Sequence, residues 1–96
     1  MSFKLGCAAV AIGLAFTGAA QAECFADYKA KQDNPLRLHY GVIALPDNAC
    51  SQAAAAGVIA PRLKQQGWTL LNVLSIFGPE GLAERKASAG AYFLSF

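Results

Sequence analysis

Residues 45–77, L-P-D-N-A-C-S-Q-A-A-A-A-G-V-I-A-P-R-L-K-Q-Q-G-W-T-L-L-N-V-L-S-I-F, decide the fold. Pro46-Asp47-Asn48 closes whatever precedes it, and Asp47 or Asn48 offers a side-chain oxygen to the free N–H groups of a first helical turn. The helix is then expected over residues 49–66. Ala56, Ile59, Ala60 and Leu63 follow the i, i+3, i+4, i+7 spacing of a buried stripe, and the small residues on it let a sheet approach closely. Pro61 lacks an N–H and presses on the carbonyl four residues back, so a kink at Gly57–Pro61, or two short helices, is expected. Gly67 suits the left-handed position after the last turn. It makes Trp68 the next residue outward and Leu63 its usual apolar contact. Residues 68–77 then read as a strand rich in β-branched and aromatic residues, apolar on both faces, with Trp68, Leu70, Leu74 and Ile76 sharing one of them.

Working outward, residues 36–45 read as another strand, placing Leu36, Leu38, Tyr40 and Val42 on one face and Arg37, His39 and Gly41 on the other. Asn34-Pro35 punctuates before it. Residues 23–34 (ECFADYKAKQDN) suggest one or two helical turns with Phe25 and Tyr28 inward. Beyond Gly78-Pro79, residues 80–88 are charged and suggest a short exposed helix. Residues 89–96 alternate and suggest a last strand. The expected class is α+β: a small three-stranded mixed sheet, a split β-α-β with order 1-3-2, covered by one kinked helix. A short N-terminal helix is tied to it by a disulfide. The helical crossover makes the first two strands parallel.

Composition divides the chain at residue 22. The first 22 residues hold one charge, Lys4, ahead of an uncharged run from Leu5, and Ala20-Gln21-Ala22 places small residues at a cleavage site. That is the pattern of a secretory signal peptide over residues 1–22, with a single small domain over residues 23–96 and no membrane span once it is cleaved. Removal of Cys7 with the leader leaves Cys24 and Cys50, an even pair in an oxidising compartment, which reads as a disulfide. Seven of the eight Lys/Arg and all six Asp/Glu lie after residue 22. So even a balance gives no case for nucleic acid, and the apolar content argues against disorder.

The run Leu63-Lys64-Gln65-Gln66-Gly67-Trp68-Thr69-Leu70-Leu71-Asn72-Val73 resembles the helix–Gly–Trp–strand signature of short bacterial β-α-β-β domains of unknown function. With its A-E-C start and its N-P-L-R-L-H-Y-G-V strand, the remaining chain is similar to small uncharacterised exported proteins of Gram-negative bacteria. The resemblance implies a packing motif and carries no catalytic residues.

Catalysis finds little footing in the sequence. There is no G-x-S-x-G, H-E-x-x-H or phosphate-loop pattern, and no metal or cofactor motif. His39, the lone histidine, reads as a polar strand position beside Arg37. Trp68 reads as core. The basic residues Arg62, Lys64, Arg85 and Lys86 read as solvated surface beside Glu80 and Glu84. The expectation is therefore a periplasmic or secreted, non-catalytic binding module whose partner is another envelope protein or a second copy. An envelope-polymer binder using exposed aromatics is a weaker option. The alternative is a small exported enzyme, or an accessory subunit of one, using His39 and Arg37.

Overall fold

The computed structural model describes residues 23–96; the expected signal peptide lies outside the described residues. Three strands, β1 (Cys24–Gln32), β2 (Arg37–Leu45) and β3 (Thr69–Phe77), form one antiparallel sheet in the order β2-β1-β3. Helix α1 (Gln52–Gln65) joins β2 to β3, and α2 (Leu82–Ala89) follows β3. The α+β class and the Cys24–Cys50 disulfide are present as expected.

The centre of the sheet differs from expectation. Residues 24–32 are a strand, not a short helix, and they pair on both sides. Their period is two: Cys24, Ala26, Tyr28 and Ala30 are buried on one face, while Phe25, Asp27, Lys29 and Lys31 occupy the other. Three of the first four are small, so the alternation carries little hydrophobic contrast in sequence. Because β2 and β3 both run antiparallel to β1, they run in the same direction with one strand between them. The intervening strand is the N-terminal one. Residues 89–96 form no strand of the sheet: a single 3-10 turn, Gly90–Tyr92, leads to one isolated bridge between Val42 and Phe93.

Helix α1 is one element with Pro61 inside it, and it packs mainly on β3. Its N-cap is Ser51, whose Oγ accepts from the Ala54 N–H at 3.2 Å, because Asp47–Ala49 is taken up by a 3-10 turn. The buried stripe is Ala55, Ile59 and Leu63, so Ala56 and Ala60 turn to the flank. At the C-terminus Trp68 N–H bonds Leu63 O at 2.9 Å and Gly67 N–H bonds Lys64 O at 3.0 Å, with Gly67 at φ +84°. This is the paired cap expected of Gly67-Trp68, and Leu63 and Trp68 are both buried by it.

Two irregularities in the β1–β3 pairing reset which β3 residues face α1. The pairs Asp27–Ser75 and Tyr28–Val73 leave Leu74 extra, and Lys29–Asn72 and Ala30–Leu70 leave Leu71 extra. Leu70, Val73 and Ile76, spaced by three, therefore pack against the core in place of Leu70, Leu74 and Ile76. The extra residues Leu71 and Leu74 are exposed.

Candidate functional site

The alternation of β2 sends His39, Gly41, Ile43 and Leu45 to the α1 side, the reverse of the polar face expected for His39. Gly41 lies opposite Tyr28, and the Tyr28 ring occupies the space a Cβ at Gly41 would fill. That close approach carries the Tyr28 hydroxyl to 3.0 Å from His39 Nε2. Trp68 meets the imidazole edge-on at 4.3 Å between centroids, Tyr92 stacks on it at 3.8 Å and Phe96 lies parallel at 5.7 Å. His39 is 7% exposed, and its Nδ1 is buried without a hydrogen-bond partner. Burial lowers the His39 pKa, and burial, with Tyr92 nearby, raises that of Tyr28. The result is an enclosed neutral imidazole that anchors the C-terminal segment. A general base must reach a substrate proton, and here the ring is walled in by Trp68 and Tyr92 while Arg37 sits exposed at the start of the strand.

On the opposite face Asp27 is also 7% exposed. Its carboxylate accepts from Ser75 Oγ at 2.6 Å, Tyr40 Oη at 2.8 Å and Arg85 Nε at 3.0 Å. Burial alone raises the Asp27 pKa; the three hydrogen bonds and the Arg85 charge outweigh it, and the net shift is downward. Burial, with Asp27 beside it, pushes Tyr40 up to about 12. Arg85 also lies 3.9 Å from the centroid of the Phe77 ring and donates to Gly81 O at 2.8 Å. This network fixes α2 over one half of the face. Arg85, expected on a solvated surface, turns inward to Asp27, the one buried carboxylate among the described residues.

The other half of that face is open. Lys29 and Lys31 on β1 are flanked by Leu38 of β2 and by Leu71 of β3. Leu38 is 66% exposed, Leu36 in the adjoining turn 65% and Leu71 49%. Lys29, Leu38, Tyr40 and Leu71 line a shallow groove of about 210 Å³, floored at Ala30 and His39. Of these positions the sequence alone points only to His39, whose ring faces the other side of the sheet; Lys29, Leu38, Tyr40 and Leu71 carry no site signature. The signal that could have found them is the alternation D-Y-K-A-K over residues 27–31, which puts two lysines on one face of a strand.

Among the described residues no cluster of three His, Cys, Asp or Glu could hold a metal ion, and no helix is long and apolar enough to cross a membrane. Comparison with protein-family models, curated proteins and solved structures returned no match.

Proposed function

We propose that the protein is exported, loses residues 1–22, and acts as a small disulfide-stapled binding module of the cell envelope without catalysis of its own. The observation that carries this reading is the open half of the sheet face, where Leu36, Leu38 and Leu71 are exposed around Lys29 and Lys31. A domain this small buries its apolar residues with difficulty, and leucines kept in water beside an otherwise covered sheet mark a contact surface. The leader pattern ending at Ala22 and the Cys24–Cys50 bond both suit an oxidising compartment outside the cytoplasm.

The test is expression of the full chain in a Gram-negative host. Mass spectrometry of periplasmic material should give a chain starting at Glu23 with its two cysteines oxidised. A photo-crosslinker placed at Leu71 should trap an envelope component, and Leu38→Asp should abolish the adduct. Retention of the leader, or a cross-link unchanged by Leu38→Asp, overturns the reading.

A further inference from the structure

The usual way for a small sheet to take a protein partner is to add a strand, and both edges here are occupied in part. On the outer side of β2, the Leu94 N–H bonds Val42 O at 2.8 Å, and Arg62 Nη1 bonds Ala44 O, the next carbonyl on that side, at 3.1 Å. On β3, Gln52 Nε2 lies 2.9 Å from Val73 O and 3.5 Å from Leu74 O. Consecutive carbonyls of a regular strand point opposite ways, so one amide reaches both only because the chain bulges at Leu74. Bulges and side-chain caps of this kind blunt an edge against strand addition. Contact is left to the open face.

The chemistry of that face is specific. Two lysines stand on the central strand with a leucine on either side, and Leu36 and Leu38 project at the hairpin end where Arg37 is also exposed. Against Lys29, Lys31 and Arg37 the exposed acid at this end is Asp33, which pairs with Lys31 at 3.3 Å across partly exposed side chains. Such a surface pair contributes little and is readily exchanged. Asp27, two residues from Lys29 on the same face, is buried and its charge is met by Arg85, which also pairs with Glu84. The acids Glu23 and Asp47 lie at the other end of the sheet, where Cys24 faces Leu45. Cations set between exposed leucines match phosphates above acyl chains: the leucines enter the interface and the lysine stems lie along it with their ammonium groups at headgroup level.

We infer that the open face, formed by Lys29, Lys31, Leu36, Leu38 and Leu71, docks on an anionic lipid surface. This inference rests on the exported-module reading and names its partner. The groove among Lys29, Leu38, Tyr40 and Leu71 is shallow and takes one apolar side chain or the end of an acyl chain. It offers no deep complementary pocket for a folded protein.

The test uses the processed, oxidised protein with its N-terminus verified by mass, so that no leader contributes to binding. Flotation with phosphatidylglycerol–phosphatidylcholine vesicles is compared with pure phosphatidylcholine vesicles. Binding is expected on the anionic vesicles only and is expected to weaken with salt. Lys29→Glu with Lys31→Glu, and separately Leu36→Ser with Leu38→Ser, should each weaken it by about tenfold or more. Lys86→Glu on α2, which changes net charge without touching the face, should stay within about twofold of the parent protein. All these residues except the half-exposed Lys31 are exposed, and unchanged melting temperatures will show that the variants fold. Failure to bind anionic vesicles, or a Lys86→Glu loss as large as the double reversal, overturns the inference. If vesicles stay unbound while Leu38→Asp still abolishes an envelope cross-link to a protein, the lipid partner is refuted and the binding-module reading stands.

Discussion

Gly41 and His39 show how one missing Cβ organises a core. The Tyr28 ring lies in the space beside Gly41, and from there its hydroxyl reaches His39. Gly41→Ala must displace that ring; the expected cost is about 1–3 kcal/mol, typical of overpacking, seen as a lower thermal midpoint. Tyr28→Phe tests the polar half of the contact, since it leaves Nε2 as unpartnered as Nδ1 already is, at about 1–3 kcal/mol. His39 also makes stability depend on pH. Burial lowers its folded pKa below the ordinary imidazole value of 6.5, so the unfolded chain binds more protons between the two values. The contribution is whole above pH 6.5 and is lost as pH falls through it toward the folded value. Urea unfolding at pH 8 and pH 5 should show lower stability at pH 5, and His39→Phe should flatten that difference. Asp27 acts the same way further down: its stabilisation is full above its ordinary value of 3.8 and falls away on stronger acidification.

At the scale of elements, α2 is held by a side chain rather than by an apolar stripe. Arg85 binds Asp27, Gly81 and the Phe77 ring, and α2 itself buries only Ala89. Removing one partner of a buried pair leaves an uncompensated charge, so Arg85→Met should cost about 3 kcal/mol in chemical denaturation. Asp27→Leu together with Arg85→Met should recover part of that loss, because both charges are then gone. Gln52 has a comparable role at the β3 edge. Gln52→Ala uncovers the Val73 and Leu74 carbonyls beside nine residues of uncharged strand. Concentration-dependent self-association, read by sedimentation velocity, is the expected outcome. Elements also show where sequence was readable. Gly67-Trp68 specified the cap of α1 because the left-handed residue and its apolar partner are local features. The β1 strand resembles a helical turn in sequence because Phe25 and Tyr28 are three apart, while the alternating small residues Ala26 and Ala30 give a weak period-two signal. The exposed leucines of β3 depend on bulges, which arise from pairing with β1 and leave no mark in β3 alone.

For the whole molecule, the disulfide joins the start of the central strand to the loop before α1 across a sequence separation of 26. A closed loop of that size contributes about 3.5 kcal/mol in the chain-entropy picture, a large share of what a domain this small retains. Reduction should therefore lower the urea midpoint steeply or unfold the protein at 37 °C, and Cys24→Ala with Cys50→Ala should reproduce the effect. The sequence by itself determined the class, the cysteine pair, the α1 cap and the strands on either side of it, since these follow from local propensity, spacing and residue chemistry. Only the tertiary structure decided that β1 is central, that His39 is enclosed, that Arg85 turns inward to Asp27, and that Lys29, Lys31, Leu38 and Leu71 meet on one open face. Each of those depends on which strand lies beside which and in what register, and a shift of one residue in register moves a side chain to the opposite face of the sheet.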